Sequence, residues 1–148
     1  MRKIILILTI CTGCLPGAFA QILHPVKWSY GAKRLNSREA VVFLKAGIAA
    51  GWHIYSVNQQ EGGPVKTSIT FAASPAYQPV GSVSEPTPFT KREEAFHMEV
   101  SYFEQEVIFQ QRILAPGAAV VNGSVNFMVC NNQQCLPPET IEFTIPVN

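Results

Sequence analysis

The chain has 148 residues, a formal net charge of +1, and 14% charged against 47% hydrophobic residues. That is enough chain for one domain with a sizeable core. It holds no block of Lys and Arg, and loss of the early pair Arg2-Lys3 would turn the net charge slightly negative. Nucleic acid and anionic membrane surfaces therefore have no electrostatic footprint to meet.

Arg2 and Lys3 precede an apolar run over residues 4–10, and the segment ends in small residues, Ala18-Phe19-Ala20. A charged start, a short apolar middle and an Ala-x-Ala end predict a secretory signal peptide over 1–20, cut after Ala20 to leave one exported domain over 21–148. The apolar run is shorter than the roughly 20 residues a spanning helix needs, and no later stretch approaches that length. The four cysteines then divide, Cys11 and Cys14 going with the signal and Cys130 and Cys135 staying with the domain. Cys11-Thr12-Gly13-Cys14 copies a Cys-x-x-Cys spacing but lacks the strand-to-helix context that activates such a thiol. Gly13-Cys14 leaves one alternative, lipidation of Cys14 and tethering to a membrane face. Cys11, where a leucine-like residue would stand in such a site, and the Ala-x-Ala end favour cleavage after Ala20.

Beyond residue 20 the sequence reads as short β segments broken by Gly, Pro, Asn and Ser, with no sustained helical periodicity. Segments 26–35, 39–48, 52–57, 66–71, 77–83, 98–114, 118–130 and 140–147 are the candidate strands. An all-β domain of about eight strands predicts an immunoglobulin-like β-sandwich. Alternation is clearest at Met98, Val100 and Tyr102, at Val125, Phe127 and Val129, and at Ile141, Phe143 and Ile145, each predicting one buried and one wet face. The longest irregular stretch, 84–96, holds Pro86 and Pro88, then Lys91, Arg92, Glu93 and Glu94, and the aromatic Phe96. It reads either as a solvated connection or as one of the long loops that carry function.

Residues 125–130 predict a strand, Asn131-Asn132-Gln133-Gln134 a polar turn, and Cys135-Leu136-Pro137-Pro138 the start of the return, so the cysteines face each other across a hairpin. Opposed residues of an antiparallel pair lie about 4.5 to 5.5 Å apart at Cα, within reach of a disulfide. Closing a loop of about six residues stabilises by only about 2 kcal/mol, against nearly 5 for about 100 residues, so as a staple the bond is poorly placed. Pro137 and Pro138 cannot donate to a ladder and set the pair at a sheet margin, where the in-line approach that thiol-disulfide exchange requires is open. The residues alone leave staple and exchange both open, and the staple is the common use of an exported disulfide. A metal set of Cys130 and Cys135 with some of His24, His53 and His97 lacks ligand spacing. Hydrolase triads, phosphate-cradling loops and helical His-Glu-x-x-His are missing from the sequence, so no cofactor or metal is predicted.

Gly51-Trp52-His53-Ile54-Tyr55, the stretch Glu94-Ala95-Phe96-His97, and Cys130 followed by Cys135-Leu136-Pro137-Pro138-Glu139 together resemble the amino-terminal periplasmic domain of DsbD, the transmembrane thiol-disulfide interchange protein. The resemblance covers most of the exported chain, and a cysteine followed shortly by Cys-x-Pro-Pro-Glu is its most specific element. It implies a periplasmic immunoglobulin-like domain in which Cys130 and Cys135 relay electrons from a thioredoxin-like or membrane-embedded thiol-disulfide protein to oxidised partners. It further implies that Phe96 sits on a cap loop shielding the pair, that Glu94 lies beside that cap, and that His53 and Tyr55 line the site. Two positions depart from the family pattern. His53 stands where a tyrosine is usual, and the two cysteines are one residue closer in sequence. Neither the membrane domain nor the thioredoxin-like domain of the family follows within the 148 residues, so the expected donor is a separate protein. The competing class is a non-catalytic immunoglobulin-like binding or assembly module with a structural disulfide, because fold does not determine function.

Overall fold

A computed structural model describes residues 23–148. The expected signal peptide, with Cys11 and the alternative lipid site at Cys14, lies outside the described residues. Eleven strands follow one another: β1 (Val26–Arg34), β2 (Glu39–Ile48), β3 (His53–Tyr55), β4 (Ser68–Phe71), β5 (Gln78–Ser84), β6 (Phe89–Glu93), β7 (Met98–Glu104), β8 (Glu106–Leu114), β9 (Ala119–Phe127), β10 (Val129–Cys130) and β11 (Glu139–Val147). They pair antiparallel in three sheets, ordered β1-β2-β8-β5, β10-β3-β7-β6 and β11-β9-β4. The fold is all-β and immunoglobulin-like, as the strand count and alternation predict. No helix among the described residues is long and apolar enough to cross a membrane.

One apolar core joins the sheets. β2 and β8 contribute Val42, Leu44, Phe109 and Ile113, β9 and β11 contribute Val121, Val125, Phe127, Phe143 and Ile145, and the remaining sheet adds Ile54, Phe103 and Val129. Period-two burial is cleanest in β8, where Val107, Phe109, Gln111 and Ile113 point inward and their neighbours outward. Phe109 is the aromatic hub, stacked on Trp28 with ring centroids 6.1 Å apart and met edge-on by Phe103 at 6.0 Å.

The candidate strands of the sequence are too long in two places. Segment 98–114 breaks at Gln105, which sits in the left-handed region at φ 62° and lets the chain leave one sheet as β7 and enter another as β8. Segment 118–130 breaks at Met128 in the same way, β9 ending in one sheet and β10 beginning in the next. Corners of this kind are how sandwich strands change sheets, and hydropathy is blind to them because both halves stay apolar. The supposedly irregular 84–96 stretch also contains a strand, β6, which pairs with β7 from Phe89↔Tyr102 to Glu93↔Met98. Its charged residues hide it, since an edge strand needs only one buried face.

The single-buried-face expectation also fails for β7. Phe103 faces the main core, yet Val100 on the opposite side is fully buried as well. It belongs with Tyr55 and Cys130 to a second, smaller cluster, against which Met98, Tyr102 and Met128 pack. The sheet holding β10, β3, β7 and β6 is thus covered on both sides.

Loss of the hub measures the main core. Phe109→Ala is expected to destabilise the domain by about 3–5 kcal/mol, whereas Phe89→Ala, at a residue 59% exposed, should change stability by less than about 1 kcal/mol. Urea unfolding midpoints at constant slope provide the comparison.

Candidate functional site

The outward face of the β10-β3-β7-β6 sheet follows from register. Cys130 pairs with His53, His53 with Glu104, and Tyr55 with Tyr102. Tyr102, Val100 and Met98 pair in turn with Phe89, Lys91 and Glu93. Directly paired residues share a face, so Cys130, His53, Tyr55, Tyr102, Val100, Met98, Phe89, Lys91 and Glu93 all lie on the side away from the main core.

The segment 56–67 continues from β3 along β7, held by Ser101 N donating to Gln59 Oε1 (2.7 Å), by Ser56 N donating to Ser101 O (2.9 Å) and by the Thr67 hydroxyl donating to Tyr55 O (2.5 Å). The Glu85 carboxylate fixes the start of the segment by accepting from the Ser56 hydroxyl, from Val57 N at 3.0 Å and from Asn58 Nδ2 at 2.9 Å. Gly63 sits so tightly on Met98 that a Cβ there would run into the thioether. On this face Cys130 is 2% and His53 3% exposed.

The disulfide closes from Cys130 to Cys135, with Cα atoms 4.0 Å apart, slightly nearer than ordinary facing residues. Its turn is local chemistry. The Asn131 side chain accepts from Gln133 N and Gln134 N, both at 2.8 Å, an Asx-type turn that bends the chain without help from the core. Asn131 N then donates to Gln134 O and Leu136 N to Val129 O, both at 2.9 Å, which sets Cys135 opposite Cys130 in an isolated bridge. β10 is an edge of its sheet, as Pro137 and Pro138 predict, and Cys135 is exposed while Cys130 is buried. The two sulfurs therefore have opposite surroundings.

Burial governs the titratable groups beside Cys130. It lowers the pKa of His53 to about 4, with the Lys91 charge adding to the effect and Glu93 opposing it. It raises the pKa of Tyr55 to about 12, Glu93 adding to the rise. The Tyr55 hydroxyl lies 3.3 Å from His53 Nε2. At neutral pH a protonated phenol thus shares a hydrogen bond with a neutral imidazole. The His53 ring meets Tyr55 and Tyr102 edge-on at 5.4 and 5.2 Å, and Lys91 Nζ lies 4.9 Å from the centre of the Tyr102 ring while pairing with Glu93 at 3.1 Å.

Of the residues marked out in the sequence, Cys130, Cys135, His53 and Tyr55 come together. Glu94 and Phe96 lie on the turn joining β6 to β7, where Phe96 N donates to Glu93 O at 3.1 Å and His97 takes φ 54°. Glu94 is exposed and pairs with Arg92 at 3.1 Å. Phe96 is half-buried and stands outside the cluster packed on Cys130. Lys91, Glu93, Tyr102 and Val100 share the face as well, and sequence reasoning misses them as site residues. Their signal is the even-numbered alternation of Met98, Val100 and Tyr102, which marks the face of the site and not the main core.

Residues 22–146 match the family model described as thiol:disulfide interchange protein DsbD, N-terminal. The chain belongs to that family. Its class of chemistry is thiol-disulfide interchange, and as a DsbD N-terminal domain it is an exported one. Solved structures carry the same fold. The DsbD N-terminal domain of Neisseria meningitidis in the reduced form is 19% identical, with 75% of this chain and 84% of that chain covered and a TM-score of 0.51. The N-terminal periplasmic domain of ScsB from Proteus mirabilis is 19% identical, covering 82% of this chain and 44% of that one, with a TM-score of 0.53. A complex between the DsbD N-terminal and PilB N-terminal domains of Neisseria meningitidis matches at 16% identity over 70% of this chain and 73% of that chain, with a TM-score of 0.50. No curated protein sequence matches the chain.

The buried imidazole gives the domain an acid-labile window. The unfolded histidine takes up a proton near its ordinary pKa of 6.5 while the folded one stays neutral to about 4. Between those values the unfolded state binds more protons, so stability falls as pH falls, by up to about 1.4 kcal/mol per pH unit. His53→Phe should flatten this slope between pH 6.5 and 4 in urea unfolding. An unchanged slope would show that His53 is not the group responsible.

Proposed function

We propose that this domain relays electrons by thiol-disulfide exchange at the Cys130–Cys135 bond, and that Cys135 is the sulfur a partner attacks. The difference in burial supports this reading: Cys135 is exposed at a sheet edge, and Cys130 is sealed under Tyr55, Val100 and Tyr102. Exchange needs a thiolate in line with the S–S bond, which is open at Cys135 and blocked at Cys130. In the reducing step a partner thiolate bonds to the Cys135 sulfur, the Cys130–Cys135 bond breaks, and Cys130 leaves with the electron pair. A second partner thiol then resolves the mixed disulfide and leaves the domain as a dithiol. In the reverse step the Cys135 thiolate attacks an oxidised partner and Cys130 resolves the adduct.

Partners of thioredoxin-like chemistry, whether soluble or membrane-held, fit an exposed sulfur on a polar turn, and the PilB complex of the Neisseria DsbD domain is a precedent for such an encounter. Phe96 stays the candidate shield of the pair, with Glu94 beside it, on the turn that follows Lys91 and Glu93 and precedes Met98, while Cys130 itself packs with Tyr55, Val100 and Tyr102. We place the working domain at 21–148 behind a signal peptide at 1–20. The Ala18-Phe19-Ala20 end supports release after Ala20 over tethering through Cys14.

Trapping tests the assignment. Cys130→Ser should accumulate a mixed disulfide between Cys135 and an oxidised thioredoxin-like protein, and Cys135→Ser should trap at least about tenfold less. Equal trapping by both variants removes the assignment, and no reaction of the wild type with any such protein removes the relay in favour of a structural bond. As a staple the bond contributes little. The double Cys→Ser variant should lose only about 2 kcal/mol of stability, by urea unfolding, and stay folded.

A further inference from the structure

We infer that His53 is the charge partner of Cys130, taking up a proton as the disulfide is reduced and holding the buried sulfur as a thiolate–imidazolium pair. The inference rests on the exchange reading and deepens it, since it concerns the fate of the leaving sulfur and not the site of attack.

Opening the bond puts a negative charge where the fold is poorly able to take one. Cys130 leaves as a thiolate at a buried position, and burial disfavours that charge unless a positive group stands beside it. The neighbours can be taken strand by strand. On β3, His53 is the direct cross-strand partner of Cys130, which brings the two Cβ atoms within about 4.5–5.5 Å. Tyr55, two residues on, is a phenol and neutral. On β7, Tyr102 is neutral, and Glu104, paired with His53, is exposed and negative. On β6, Lys91 is a fixed cation already paired with Glu93 at 3.1 Å. The segment 56–67 offers Gln59, Gln60 and Glu61, and its one cation, Lys66, is exposed. Of all these groups only the imidazole can change from neutral to positive near pH 7.

The oxidised state keeps it neutral, because burial and the Lys91 charge disfavour the imidazolium. Reduction reverses that balance. A thiolate in the facing position attracts a second proton to the imidazole ring. By linkage the imidazolium lowers the thiol pKa of Cys130 by the same amount. Charge is conserved through the step: two electrons and two protons leave the partner's two thiols, one S–S bond is lost in the domain and one gained in the partner, and of the two protons one goes to the Cys135 sulfur and the other to His53.

Histidine titration by NMR tests this on the exported protein without mutation, in the oxidised form and after reduction with dithiothreitol, with His24 and His97 as internal references. The expected result is a His53 midpoint near 4 when oxidised and at least two pH units higher when reduced, about a hundredfold in proton affinity. A midpoint that stays within about half a unit overturns the inference. Thiolate absorbance gives the reciprocal measurement in the Cys135→Ser background, where Cys130 is the lone thiol of residues 21–148. Cys130 should titrate below about 7.5 with His53 present and at or above about 8.5 in His53→Gln. Equal titration in the two overturns the inference as well. Dithiothreitol opens the bond whatever the natural partner is, so these outcomes are separate from trapping by a thioredoxin-like protein, whose failure would strike the exchange reading instead.

Discussion

Cys130 is held by backbone pairing on two sides at once, to His53 within a sheet and to Cys135 across a bridge that no further pair continues. The first pairing gives it the burial of a strand residue. The second ties it to a residue that belongs to no strand and lies in solvent. A disulfide between two sheet residues would be sealed at both sulfurs, and one between two loop residues would be open at both. The two-residue length of β10 is what produces one of each. The short loop agrees with this, because so little unfolded-state entropy is removed that the bond has small structural value.

The buried half of the arrangement depends on features far from the cysteines. The chain changes sheets after β7 and after β9, at Gln105 and at Met128, so that three short strands and β6 form a sheet of their own on the end of the sandwich. Its inner side continues the main core through Ile54, Phe103 and Val129. Its outer side gathers Tyr55, Val100 and Cys130 into a second cluster, and segment 56–67, which the Glu85 carboxylate and Gln59 pin in place, packs on Met98 at its margin. The second cluster is therefore a pocket of low dielectric built at the domain surface, and it is the reason that His53 and Tyr55 are shifted in opposite directions from their ordinary pKa values.

Much of this was legible in the sequence. The β class, the Asn-rich turn, the facing cysteines and their marginal position follow from residues 125–138, because turn chemistry and period-two patterning are local. The strand changes were not legible, since a strand that bends at Gln105 has the same hydropathy as one that runs straight. The charged β6 reads as loop for a related reason: Lys91 and Glu93 satisfy each other, which patterning cannot see. Burial of Cys130 but not Cys135 was equally hidden. It depends on packing against Tyr55, Val100 and Tyr102, far away in the chain, and Cys130 differs from its neighbours in sequence by nothing that announces it.

An equilibrium redox titration of the oxidised domain against glutathione or dithiothreitol buffers, read by thiol labelling, bears most directly on whether the bond is a working pair. An exchanging disulfide with one exposed sulfur should have a reduction potential above about −300 mV, in the range where periplasmic thiol proteins can both reduce and reoxidise it. A potential well below about −300 mV would mark a bond that partners cannot open, and would contradict the relay.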